Sequence, residues 1–189
     1  MAVTLNASTT AGLELTPDTS GVLNIQSGGS TKIAVTSAGV AVTGLSKASL
    51  PTGSVLQVVN ATTTTNTVTT SSTYQATSLT ASITPTSATS KVLVTFSGVS
   101  ATTGPCDFYA TIFRNGSNIL PASGGPHVWY SALGGAATLF WQIAYNYLDS
   151  PASTSAQTYT IYIKNDNNTN TIQFGGTYTA VITLMEIAA

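Results

Sequence analysis

The stretch from Tyr178 to Ala188 restricts the possible folds more than any other part of the chain. It runs about ten residues without Gly or Pro and is rich in β-branched and aliphatic side chains, so it reads as a strand. At period two, Ala180, Ile182 and Leu184 face one way, and Val181, Met185 and Ile187 face the other. A strand with one wet face would alternate apolar with polar residues more cleanly. The pattern therefore predicts a strand covered on both sides, lying inside a sheet that the earlier strands build around it.

Those earlier strands have to come from an unusual composition. Only 6% of the 189 residues are charged, and 35 Thr and 22 Ser are available to cover the surface. Thr is β-branched and accepts both a wet and a half-buried strand face. No window sustains a helical period, and the helix-favouring Glu, Lys and Arg are scarce. The expected class is all-β.

Charge excludes several functions. The net charge is −1, and the five basic residues (Lys32, Lys47, Lys91, Arg114 and Lys164) are scattered, whereas a nucleic-acid surface needs clustered cations. Near-neutral surfaces lack mutual repulsion and tend to associate. No segment approaches the roughly 18 apolar residues of a membrane span. The first residues carry neither a basic region nor a long apolar run, so no secretory signal is expected. Cys106 is the single cysteine, which leaves no intrachain disulfide and fits folding in a reducing cytoplasm.

Residues 1–52 differ from the rest. Leu13 to Thr16 followed by Ser20 to Ile25, and Ile33 to Thr36 followed by Ala38 to Val42, are two copies of one pattern: a short alternating strand, a turn and a second short strand. The segment has no aromatic residue and too few large side chains to bury a core of its own. The expected solution is a core shared between chains, with Leu13, Leu15, Ile25, Ile33, Val35, Val40 and Val42 meeting copies of themselves on a common axis. The alternative is that these hairpins pack on the larger domain as extra strands. Pro51 and Gly53 punctuate the connector that follows, and the domain boundary is placed there.

Residues 53–189 read as about eight longer strands separated by turns, which fits an antiparallel sandwich of jelly-roll type. The Thr-rich run from Thr62 to Thr73 predicts a wet edge strand in its middle. Asn115 and Gly116 carry the signature of a type I′ hairpin turn. Pro121 to Gly135 reads as a loop.

Little of this sequence suggests chemistry. His127 and Cys106 have no third group at a spacing that would make a nucleophile, and they are too few for zinc. They are expected as an exposed loop histidine and a half-buried cysteine. Asp166 to Asn170 begins like a calcium loop, but Thr171 stands where that loop needs Gly and Thr177 where it needs a bidentate Glu. The six acids are scattered, and Asp107 and Asp149 are as well explained by strand ends and turns. No enzyme, no cofactor and no metal are expected. The best contact candidates are His127, Trp129 and Tyr130, because such rings offer large area at low entropy cost to a sugar or protein. The competing reading has Trp129 closing an end of the sandwich or packing between protomers.

Five phrases occur together in order: Gly53 to Val59, Ile83 to Val94, Ile112 to Gly116, Leu148 to Pro151 and Ile182 to Ile187. This set resembles the C-terminal β-sandwich of virion fibre proteins from tailed bacteriophages, especially phages of cyanobacteria and other aquatic bacteria. The N-terminal hairpins are similar to the short repeats of trimeric phage-fibre shafts. The resemblance implies a homotrimer on the virion, made in the host bacterial cytoplasm. Its N-terminal segment would attach to other virion proteins of the tail, baseplate or capsid, and its head would meet a host-surface glycan or protein. It brings no catalytic residues, and with the scattered cations and the lack of a long apolar run neither nucleic acid nor membrane is expected as a partner. The expected role is a tail or baseplate fibre acting in host adhesion. Two alternatives stand beside it: a capsid decoration or head-fibre protein, and a free carbohydrate-binding β-sandwich.

Overall fold

The structure is a computed structural model that describes residues 23–27, 29–42, 50–120, 127–130, 138–166 and 168–189. The chain divides into two units, Met1–Ser49 and Leu50–Ala189. All regular structure among the described residues is β-strand, as the composition requires.

In the first unit, β1 (Leu23–Ser27), β2 (Ser30–Thr36) and β3 (Gly39–Val42) form a three-stranded antiparallel sheet in the order β1-β2-β3. The two patterns read as separate hairpins are thus joined: the end of the first pairs with the start of the second. Leu13 and Leu15 lie outside the described residues. Register places Ile25 and Val42 on either side of Ile33, and Leu23 and Val40 on either side of Val35. The even spacing of Ile33 from Val35 and of Val40 from Val42 sets these rows on one face. That face stays open within its own unit: Val40 is 66% and Val42 51% exposed, and Ile25 and Val35 are exposed too.

Among its described residues the second unit holds eleven strands, where about eight were expected. They are β4 (Val55–Thr63), β5 (Thr67–Thr69), β6 (Gln75–Ile83), β7 (Lys91–Thr102), β8 (Cys106–Arg114) and β9 (Ser117–Asn118), then β10 (His127–Tyr130), β11 (Leu139–Asp149), β12 (Gln157–Asn165), β13 (Ile172–Phe174) and β14 (Ala180–Ile187). The pairs β8·β10, β7·β11, β6·β12 and β4·β14 are all antiparallel, and each encloses the last in sequence. The second unit is therefore one long hairpin rolled up, with successive pairs alternating between two sheets. β10-β8-β12-β6 makes one sheet, with β9 beside β8. In the other, β4-β14-β7 runs on to β13 and β5, and β11 takes the far edge of β7. That winding is a jelly roll.

Alternation decides which residues fill the space between the sheets. Leu79 and Ile83 of β6, Phe108 and Ile112 of β8, and Tyr159, Ile161 and Ile163 of β12 point in from one sheet, all essentially fully buried. Val92, Val94, Phe174, Ile182 and Leu184 answer from the other. Gly98 belongs to this packing, since a Cβ there would lie 2.6 Å from Phe174 Cζ. The hairpin turn falls where expected, with Asn115 and Gly116 at φ of 49° and 82°. β5 is an edge strand, as the Thr-rich run predicts.

β14 lies between β4 and β7, inside its sheet. The expectation of two covered faces needs correction. Ala180, Ile182, Leu184 and Glu186 are buried, while Val181, Met185 and Ile187 are only half-buried. Their face is the outside of the sandwich, and no described layer lies over it. A second correction concerns Pro121 to Gly135: this segment contains β10, held by pairing with β8 rather than by its own propensity.

Candidate functional site

The outer face of the five-stranded sheet gathers aromatic residues that are far apart in the chain. Tyr109 and Phe113 alternate outward on β8, and Tyr162 and Lys164 do so on β12. The two strands pair in register, with Lys164 opposite Tyr109 and Tyr162 opposite Thr111. Phe113 and Tyr162 stack with centroids 3.8 Å apart, and Tyr74, just before β6, meets Phe113 edge-on at 6.0 Å. Lys164 Nζ lies 5.0 Å from the Tyr74 ring centre and 4.8 Å from that of Tyr109, within range of cation–π attraction. Tyr109 donates its hydroxyl proton to Asp107 Oδ2 at 3.2 Å. Burial pushes the Tyr74 and Tyr109 phenols up, and the Asp107 carboxylate pushes Tyr109 further, so both remain neutral donors.

β10 runs along the free side of β8. His127 stands in register with Tyr109, Trp129 with Asp107 and Tyr130 with Cys106. The backbone thus brings two of the three contact candidates, His127 and Trp129, into register with outward positions at the edge of this platform, and Tyr130 into register with the buried Cys106. Sequence reasoning missed Tyr74, Tyr109, Phe113, Tyr162 and Lys164 as a group. Their only signal was outward alternation on two strands whose pairing could not be foreseen.

Other candidates are absorbed by the fold. Cys106 is buried rather than half-buried. Burial pushes its thiol up, and Asp166 and Asp107 add to this against a hydrogen bond with Thr102. A buried thiol kept protonated is inert as a nucleophile. The calcium-like turn spends its oxygens on the protein. Asp166 Oδ1 accepts the Asp107 amide proton at 2.8 Å, and Asn168 Oδ1 accepts that of Ser72 at 2.6 Å. Asn170 donates to Pro105 O at 2.6 Å.

Two buried polar nodes hold the rest. Glu186 is fully buried, and its carboxylate accepts protons from Gln57 Nε2 at 2.6 Å and from both the amide and the hydroxyl of Thr86 at 2.7 Å. Burial alone would raise this carboxyl, but the hydrogen bonds of Thr86, Gln57 and Ser90 outweigh it and the net shift is downward. In the second node, Arg114 Nη1 and the buried Tyr159 hydroxyl both donate to Asp149 Oδ2, at 2.6 and 2.7 Å. The first node joins three of the five sequence phrases through Gln57, Thr86 and Glu186. The second joins the remaining two through Arg114 and Asp149.

No protein-family model matches the chain, and no curated protein matches it in sequence.

Proposed function

We propose that this chain is a homotrimeric structural protein of a tailed-bacteriophage virion, a tail or baseplate fibre that acts by adhesion to the host surface. The observation that carries the reading is the open apolar face of the first unit. Ile25, Ile33, Val35, Val40 and Val42 occupy one side of a three-stranded sheet, and four of the five are exposed within it. A sheet this small does not bury enough to hold itself, and burial against copies of the same rows supplies what is missing. The ordered phrases of the second unit support a phage-fibre head, and their polar members serve the fold rather than chemistry. The platform of Tyr74, Tyr109, Phe113, Tyr162 and Lys164, with β10 beside it, is the surface offered to a glycan or protein receptor.

Native mass measurement of the purified chain tests the assembly: a trimer is expected, and a stable monomer refutes the shared-axis argument. Labelling the protein in images of whole particles tests its place. Density on the tail or baseplate supports the fibre, and density on the capsid shell replaces it with a decoration role.

A further inference from the structure

Exposed large apolar side chains are distributed unevenly over the second unit. Val55 and Val58 of β4, Val68 of β5, and Phe140 and Leu148 of β11 all belong to the six-stranded sheet, and Tyr178 leads into its β14; Leu139, in register with the buried Thr102, does not stand on the outer face. The described side chains of the five-stranded sheet contribute none. Register sharpens the pattern. Leu148 pairs with Leu93, Leu93 with Met185 and Met185 with Val58, so one apolar row crosses four strands. Its two ends, Leu148 and Val58, are 48% and 57% exposed. Beside this ridge lies a shallow groove of about 280 Å³, lined by Phe96 together with the smaller Thr95, Ser97, Ala144, Asn146, Val181 and Thr183. Among the outward residues of β4, β7, β11 and β14, only Lys91 is charged.

We infer that the outer face of the six-stranded sheet is covered in the working protein by a neighbouring copy of this chain. The inference rests on the reading that the chain assembles with itself. Three properties select a copy over another occupant. An uncharged face gives a charged partner nothing to recognise, whereas this chain is itself only 6% charged. Ridge and groove are two different patches side by side on one face, so the ridge of one copy can enter the groove of the next, the head-to-tail contact by which a ring of three copies closes. The size also fits. Four strands at about 4.8 Å spacing and roughly 30 Å of strand length give a flat footprint of roughly 600 Å². Side-chain relief brings that near the roughly 800 Å² per partner of a standard interface.

Two cysteine variants of the full chain test this. Asn146→Cys places a thiol in the groove, and Ser82→Cys places one on the outer face of the five-stranded sheet; both native positions are exposed. Cys106 is buried and adds little background to maleimide labelling. The expected result in the purified protein is labelling of Asn146→Cys at least about tenfold slower than of Ser82→Cys. Adding Val58→Asp and Leu148→Asp, both at exposed positions, sets like charges into the contact and is expected to bring the two rates together. A monomer by native mass overturns both this inference and the self-assembly it rests on. A multimer in which Asn146→Cys reacts as fast as Ser82→Cys leaves self-assembly standing and overturns the assignment of this face. Protection that survives the two aspartates overturns it as well.

Discussion

Glu186 gives the sharpest test of how this sandwich is held. Replacing it with Ala removes the one acceptor shared by Gln57 Nε2 and by the amide and hydroxyl of Thr86, at a site with no exposure. An unsatisfied buried donor costs about 1–3 kcal/mol. Gln57 Nε2 also donates to Thr84 O at 2.7 Å, so its loss is partly offset. Taking about 1–2 kcal/mol for each of the three donors of Gln57 and Thr86, before the Ser90 hydroxyl is counted, gives about 3–6 kcal/mol, a large share of the roughly 5–15 kcal/mol that holds a domain. Glu186→Gln keeps one acceptor oxygen but turns an NH₂ toward a donor, and about 2 kcal/mol is expected. Urea unfolding at a fixed protein concentration measures both. With a slope of about 2 kcal/mol per M, the Ala variant should lose roughly 1.5–3 M from its midpoint.

The pH dependence carries the same information. The folded carboxyl lies below its unfolded value, so its stabilisation is fully present above the ordinary glutamate range. It is lost as the pH falls through the lower, folded value. The native protein should therefore weaken more steeply than Glu186→Gln on the acid side of that range. Should Glu186→Ala unfold within about 0.5 kcal/mol of the native chain, the carboxylate is not what joins β4, β14 and the turn at Thr86, and the reasoning fails.

Asp149→Ala should cost about 3 kcal/mol, because it strands the Tyr159 hydroxyl in the core and leaves Arg114, still about a quarter exposed, without its partner; thermal melting measures the loss. Gly98→Ala should cost about 1–3 kcal/mol by driving a methyl group into the Phe174 ring, and adding Phe174→Leu should recover part of it in the same melts. Ile182→Ala, fully buried at the centre of β14, should cost about 2–5 kcal/mol in denaturant unfolding, whereas Val181→Ala on the half-buried face should cost clearly less. A loss below about 1 kcal/mol for Ile182→Ala would mean that its side of β14 is not the packed interior.

The sequence alone determined the class and most of the strands. A chain rich in Thr and Ser and poor in Glu, Lys and Arg has few residues that favour helix, and period-two alternation marked the cores of β4, β6, β7, β8, β11, β12 and β14. The Asn115–Gly116 turn was legible because a type I′ turn needs positive φ at two adjacent residues, a local demand that few residue types meet. Tertiary structure decided what local pattern cannot carry. β10 is four residues among glycines and prolines, and it is a strand only because β8 offers it an edge. Period two already placed Glu186 on the face of Leu184, yet its tolerance there depends on Thr86 and Gln57, which stand 100 and 129 residues away. The Lys164 platform follows the same logic, since Tyr109 and Lys164 become neighbours only when β8 and β12 pair. Turns and alternation are short-range and can be read from adjacent residues. Which strands pair, and therefore which polar groups meet, is set by how the long hairpin rolls up to bury one face of every strand.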